Sequence, residues 1–354
     1  MSVAESRNGP LRVGLCYDRF GDAPRPPGAP PDWDAEYEPE ETVAALEAAL
    51  RRLGHEPVRL GNAAAVLARM PDLGVDAAVN IAESYGSRNR EAHVPVLLEL
   101  AGVPCVGSDA LSLSVSLDKH LTKTVVAAAG VGVPPGGVVP LGADAGALVE
   151  AAGLAFPLMA KPRYEGTAKG ITPSSRCETS DGLVAEVARQ HALYGQDVVV
   201  EAFVDGAEWT VGVVGTGDGA RALPALQRAV EPRSGIGVHA LPGDPDYVIG
   251  GALTPELEER LGDAALAAHR ALECRDFSRS DFRVAADGVP VFIEINPLPT
   301  FAPDGTFAIL AELDGQPYDA FLADVLGAAL DRALADSARL GAEAGGGGPP
   351  ANDR

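Results

Sequence analysis

The sequence predicts an α/β protein, and three observations carry that expectation. Strand-like and helix-like apolar patterns alternate along the first third of the chain, as in a parallel sheet with crossover helices. Farther on, two runs of period 2 flank Asp287-Gly288, the signature of an antiparallel hairpin. Finally, all four lysines of the 354 residues, Lys119, Lys123, Lys161 and Lys169, fall in one stretch, while arginines run from end to end. An ammonium is a compact point charge suited to a phosphate oxygen, so this clustering points to a polyphosphate site.

Composition narrows the class. With 46% hydrophobic residues the chain has the apolar content for two or three packed units. A net charge of −22 repels nucleic acid and anionic membrane, so a phosphate ligand needs a local basic site or a metal, and small molecules are the expected partners. Cys16, Cys105, Cys177 and Cys274 lie far apart without a CxxC pair, which implies neither a zinc site nor a disulfide framework. The first residues lack the apolar core of a signal peptide, and no apolar run reaches the length of a membrane span. A soluble, cytoplasmic protein is the expectation.

Taken in order, Leu11–Tyr17 reads as a buried strand and 22–40 as a long, Pro-rich acidic loop. From Thr42, Val43, Leu46, Leu50 and Leu53 recur at helical spacing up to Gly54; Val58–Leu60, Ala77–Ile81 and Val103–Val106 read as strands. Leu111–Ala129 is expected to be one helix stopped by Gly130, with a unit boundary near 112. Phe156–Lys161, Val198–Val204 and Glu208–Gly215 read as strands and Pro255–Leu272 as a helix. The domains expected are 1–112, 113–201 with a phosphate loop, 202–334 with a metal site, and a disordered tail at 335–354 rich in Gly and Pro.

Counting outward from Asp287-Gly288 pairs Val284 with Val291, Phe282 with Ile293, Asp281 with Glu294 and Arg279 with Asn296. Like charges facing each other across a ladder are destabilising, so Asp281 against Glu294, with Asn296 on the same face, calls for a cation. Magnesium fits these hard oxygen donors. The alternative is a solvated face on which Arg279 and Arg283 neutralise the acids. Upstream, Lys161 ends an apolar strand and is followed by Glu165-Gly166-Thr167-Ala168-Lys169-Gly170, a loop able to aim backbone N–H groups at phosphate oxygens. There is no GxxxxGK[ST] and no GxGxxG between strand and helix, which excludes a P-loop and a dinucleotide fingerprint.

Asp118-Lys119 with Lys123, Lys161-Pro162 with Glu165-Gly166-Thr167, Glu201 with Glu208, Arg279-x-Asp281 and Glu294-x-Asn296 occur in this order. In order and spacing the set resembles the ATP-grasp ligases, most closely the D-alanine:D-alanine ligase group, over about 103–330. The resemblance implies an ATP-grasp fold behind an N-terminal Rossmann-like parallel α/β domain, and a homodimer. It implies that Lys119 and Lys161 bind ATP phosphates, that Gly166 and Thr167 belong to the loop closing over them, that Glu201 with the backbone of Phe203 and Val204 reads adenine, and that Glu208 holds the ribose. Asp281, Glu294 and Asn296 would coordinate Mg²⁺, two ions in all with Mn²⁺ as a substitute, while Arg279, Lys161 and Thr167 act in catalysis. For Glu201 and Glu208 the alternative is an edge charge on an exposed strand. Lys123 is expected as a solvated neighbour of Lys119, Lys169 has no assigned role, and the six histidines are expected to be surface or core residues.

The implied reaction is γ-phosphoryl transfer to a carboxylate, followed by attack of an amine on the acyl phosphate. Two other outcomes stay open: ATP-driven cyclisation or amine condensation, and nucleotide binding without turnover. The family's His-Gly-like and Ser and Glu elements that hold D-alanine are replaced by Leu15–Gly21 and by Asn80-Ile81-Ala82-Glu83, followed by Arg88-Asn89-Arg90-Glu91, and its last Pro-Gly becomes Pro299-Thr300. Glu83, Arg88, Arg90 and Thr300 are therefore the candidates for a changed substrate pocket, with a polar loop over the sheet edge as the alternative.

Overall fold

A computed structural model describes residues 9–70, 72–230, 234–236 and 252–345, with side chains through Arg339. Strands β1 (Arg12–Tyr17), β2 (Glu56–Gly61), β3 (Ala77–Ile81) and β4 (Cys105–Val106) form a parallel sheet in the order β2-β1-β3-β4. Helices α1 (Glu40–Arg52), α2 (Ala63–Arg69) and α3 (His93–Leu100) make the crossovers. Every residue of β3 is buried, as a strand covered on both faces requires. The parallel first sheet and the loop between β1 and α1 agree with the sequence.

The expected single helix at 111–129 is two helices, α4 (Ala110–Leu117) and α5 (Lys119–Ala128). The break is at Asp118, which takes an extended backbone, φ −81° and ψ 97°, and accepts from His120 N at 3.1 Å and Leu121 N at 3.2 Å. An Asp is a good N-cap because its carboxylate satisfies amides that the helix leaves unpaired. Apolar periodicity runs through the break and hides it. Arg163 also grips this carboxylate with two bonds of 2.8 and 2.7 Å, joining the cap to the segment that precedes the phosphate loop.

A second sheet holds β5 (Gly136–Val139), β6 (Leu158–Pro162), β7 (Arg176–Cys177) and β8 (Val198–Ala202) in the order β5-β8-β6-β7, with α6 (Ala145–Ala152) and α7 (Ser180–Tyr194) beside it. The third is built on β9 (Ala207–Val214), β10 (Arg221–Ala222), β11 (Leu226–Arg228), β12 (Phe277–Val284) and β13 (Pro290–Asn296). Helix α8 (Pro255–Ala271) buries Leu261, Ala265 and Ala268 against Trp209, Phe282 and Phe292 of this sheet, in a core that also takes Val126 of α5. After α9 (Thr306–Leu313), α10 (Tyr318–Gly345) returns to the first sheet, and Phe321, Leu322 and Leu326 share a core with Val13, Leu15, Leu46 and Leu50.

Two expectations need correction. The segment from Ala335 is not structureless at its start: α10 continues to Gly345, and Asp336 bridges to Arg332 at 3.2 Å and Arg339 at 3.0 Å. Residues 346–354 lie outside the described residues. The hairpin connection is also longer than two residues, because β12 ends at Val284 and β13 begins at Pro290. Gly288, at φ +70°, closes a turn by donating to Ala285 O at 2.9 Å. Asp281–Glu294 and Arg279–Asn296 pair as expected, but Phe282 pairs with Phe292 and Val284 with Pro290, since a bulge between Asp281 and Phe282 leaves Ile293 extra. The bulge and the longer turn offset one another on the distal half only, so the acidic face keeps its register.

Replacing Asp118 by Ala should lower stability by about 2–4 kcal/mol, from the lost cap and the uncompensated Arg163. Denaturant unfolding would show the loss, and Asp118→Asn, which keeps a capping oxygen, should recover part of it.

Candidate active site

Strand ends from the second and third sheets enclose a cleft of about 110 Å³ walled by Met159, Phe203, Val204 and Ile236, with Lys161, Glu201, Glu208, Arg279, Asp281 and Glu294 among its polar residues. An apolar slot with a few converging charges is what a nucleotide base and its phosphates require. Arg176 and Arg283 stack on the Phe203 ring, 4.4 and 5.2 Å from its centroid. Arg283 Nη2 also meets Glu208 at 2.8 Å. Of the two backbone positions expected at the adenine edge, the Phe203 N–H already donates to Pro157 O at 3.0 Å, and Val204 O accepts from Arg283 at 3.5 Å.

The lysines are placed by buried acids. Glu201, at 3% exposure, accepts from Lys161 Nζ at 2.7 Å through one oxygen and from Lys123 through the other. Lys123 is therefore a buried partner of Glu201 and not a solvated one, and Glu201 is not an exposed edge charge. Burial alone would raise the Glu201 pKa, but the two ammonium groups hold it below the usual carboxylate value. Burial also pulls Lys123 down to about 7, against the attraction of Glu201. Lys119 begins α5, where a cation opposes the helix dipole, and it is steadied there by Glu294 at 2.9 Å. Glu294 is held at about 2 because Lys119 and Lys161 outweigh the cost of its burial.

Asp281 and Glu294 face each other on the β12–β13 ladder as the sequence predicts, and their surroundings are cationic. Asp281 accepts from the Thr210 hydroxyl and from Arg279 Nη2, the latter at 3.3 Å; Asn296 Oδ1 accepts from Leu298 N at 2.8 Å. Two carboxylates and an amide oxygen on one face suit Mg²⁺, which prefers hard oxygen donors. Arg279 Nε is buried without a hydrogen-bond partner among the described residues, a vacant donor beside this face that fits an anionic phosphoryl group.

Beyond Arg279, Thr167 and Glu294, which line both spaces, lies a second cavity of about 40 Å³ walled by Glu36, Glu83, Glu91, Ser116, Lys119 and Asn296. Carboxylate oxygens of Glu36, Glu83 and Glu91 lie within 4.8 Å of one another. The phosphate loop forms another wall, with Gly166 and Thr167 lining it. Thr167 and Ala168 take φ values of +47° and +55°, left-handed backbone that costs non-glycine residues about 1–3 kcal/mol each unless surrounding structure imposes it.

Of the substrate candidates, Glu83 lines this cavity. Arg90, at 3% exposure, is spent on structure: it donates to Tyr164 O at 2.5 Å and to Glu36 at 2.7 Å. Arg88 is exposed and stacks on the Tyr164 ring at 5.3 Å, and Thr300 donates to Glu38 at 2.8 Å. Neither arginine nor Thr300 is among the residues lining the acid-walled cavity. Sequence reasoning missed Glu36, in the acidic loop, and Glu91, next to a residue it did choose. The retained Lys169 was the available signal, since it is 3% exposed and pairs with Glu36 at 2.6 Å and Glu165 at 2.5 Å. His269 is a core residue, bonded to Ser278 Oγ at 2.7 Å.

Burial pushes Glu91 up to about 7 and Glu83 well above its usual range, each raised further by neighbouring acids against the pull of Arg90. Both carboxyls ionise more readily unfolded, so their contribution to stability is full below an unfolded pKa of 4.5 and falls at higher pH, that of Glu91 being lost as pH rises through about 7. Glu91→Gln should therefore melt a few degrees above the parent at about pH 8 and level with it at about pH 4.5. Thermal melts across that range check the sign; a gain independent of pH would contradict it.

The comparisons with known proteins agree with this geometry. Residues 143–327 match the family described as D-ala D-ala ligase C-terminus. The D-alanine–D-alanine ligase of Cupriavidus taiwanensis is 34% identical over 247 residues, covering 69% of this chain and 73% of the relative. The D-alanine–D-alanine ligase of Bacillus anthracis, solved in complex with ATP, shares the fold with a TM-score of 0.68 at 22% identity, over 91% of this chain and 98% of that one. The VanG D-Ala:D-Ser ligase of Enterococcus faecalis gives 0.69 at 19% identity, over 90% and 99%. With the cations and the acidic hairpin gathered at one cleft, these matches place the chain in the D-alanine–D-alanine ligase family of ATP-grasp enzymes, ligases that use ATP and Mg²⁺ to join a carboxylate to an amine.

Proposed function

We propose that this ligase activates an amino acid or amino-acid-like carboxylate as its acyl phosphate, couples it to an amine, and does not use two D-alanines. The observation that carries the reading is a contrast between two adjoining cavities. The cleft gathers Lys161, Arg279, Asp281 and Glu294, the residues to which the family resemblance assigns phosphate, phosphoryl and metal roles, whereas the neighbouring cavity is walled by Glu36, Glu83 and Glu91, of which Glu83 and Glu91 belong to the segments that depart from the family's His-Gly pattern.

In this reading Lys119 and Lys161 meet phosphate oxygens, and Asp281, Glu294 and Asn296 would hold Mg²⁺, which would supply neutralising positive charge at the phosphates. Arg279 turns its vacant Nε toward the transferring group, which needs positioning and charge neutralisation and no protein nucleophile. The phosphoryl group passes to the substrate carboxylate, an amine attacks the acyl carbon, and phosphate leaves. Thr167 lies where the two cavities meet, so the loop carrying it is placed to keep water from the acyl phosphate. The same reading includes a cytoplasmic homodimer, which light scattering of the purified protein would test.

D-Alanine alone should release little phosphate above the acceptor-free background, because lost polar contacts cost far more than a change in apolar size. Phosphate release screened over amino-acid pairs, with mass spectrometry of the product, would find the true pair; robust D-alanyl-D-alanine synthesis would refute the reading. Glu294→Gln should abolish turnover. Simple cross-strand repulsion would make that variant more stable, but Lys119 reverses the sign: losing its partner should cost about 1–3 kcal/mol, seen as a lower melting temperature without Mg²⁺.

A further inference from the structure

The acidic segment between β1 and α1 spans the phosphate loop and bonds to it at both ends. At the near end Glu36 accepts from Gly166 N at 2.7 Å and from Lys169 Nζ at 2.6 Å, while Arg90 links the Glu36 carboxylate to Tyr164 O. At the far end Asp32 accepts from Gly170 N at 3.0 Å and from the Tyr194 hydroxyl at 2.7 Å. The near-end approach is close: a Cβ on Gly166 would lie 2.5 Å from Glu36 Oε1, while Gly170, at φ +75°, packs against Pro162 and Tyr194, where a Cβ would lie 2.7 Å from each. Between these anchors sit Thr167 and Ala168, the two left-handed residues that need an outside restraint. The Glu36 side chain is 4% exposed and that of Lys169 2%, so the latch is desolvated, where an ion pair with full hydrogen bonding is costly to open.

We infer that residues 32–36 are a built-in strap that holds the phosphate loop closed before nucleotide binds, with Glu36 fixing Thr167 between the cleft and the acid-walled cavity. The inference rests on the ligase reading for its purpose and not for its geometry. A loop closed in advance needs no ordering when substrate arrives, so little binding free energy goes into closing it. It also commits Glu36 to two tasks, as wall of the acid-walled cavity and as anchor of the loop, so a change in one is felt in the other.

Hydrogen exchange of the full chain without nucleotide tests the strap directly. Amides of Gly166 to Gly170 should be protected in the parent protein, and saturating Mg²⁺ with a non-hydrolysable ATP analogue should add little. Glu36→Gln should speed their exchange roughly tenfold or more, with exchange elsewhere unchanged, and the analogue should restore protection. Lys169→Met should do the same, and the double variant should be no faster than either single one, the non-additivity of a shared latch. Asp32→Asn, remote from the acid-walled cavity, keeps the test open if Glu36→Gln fails to fold; it should release Gly170 first. A parent loop that exchanges freely until the analogue is added, or single variants whose effects simply add, would overturn the proposal. Because no turnover is measured, a wrong ligase reading would leave these results unchanged, and absence of ligase products would leave the strap intact.

Discussion

Buried charge that must be paired is the constraint on which this structure depends. Lys123, Glu201, Lys161, Glu294 and Lys119 are drawn from α5, both later sheets and the strand that leads into the phosphate loop. An isolated ion at such a site would cost several kcal/mol, so each of these groups fixes where its neighbour can lie. Helix α5 is the tie between the later sheets, since its Lys123 pairs with Glu201 of the second and its Lys119 with Glu294 of the third. The same charges that align the sheets converge on the cleft, so the site and the register of the fold are specified together.

Legibility in the sequence followed the reach of each signal. Asp281 against Glu294 was readable because a hairpin is local and its register can be counted from the turn, and the count survived a longer connection because the bulge at Ile293 compensated for it. The alternating pattern of β1 to β3 was readable for the same reason. Asp118 was not, since a cap inside a continuous apolar period leaves periodicity unchanged and is revealed only by Arg163, distant in sequence. Glu36 was hidden more thoroughly. Nothing in an acidic, Pro-rich loop says which of its carboxylates will be buried, and its partners Arg90, Gly166 and Lys169 are brought to it by the fold. Of the two arginines chosen from the sequence, Arg90 is consumed by that network, and Arg88 is exposed and stacks on the Tyr164 ring.

The acid-walled cavity changes how substrate discrimination is to be understood. Burial and the charge of Glu36 raise both Glu83 and Glu91, and Glu91 raises Glu83 further, so this wall offers hydroxyl donors as well as acceptors near neutral pH. Lys119 lies between this wall and the hairpin acids, lining the cavity while bonded to Glu294. Its charge thus acts on both sides, pulling Glu91 down and pairing with Glu294.

The return of α10 to the first sheet has a consequence for synthesis. Val13, Leu15, Leu46 and Leu50 are made long before Phe321, Leu322 and Leu326, which complete the core they enter. Until α10 is made the first sheet has strands and crossover helices but lacks the helix that covers this apolar face. Completion of this sheet's core during synthesis, the usual course for separate units, therefore waits for α10, and a chaperone that shields apolar surface has the interval between α1 and α10 in which to act.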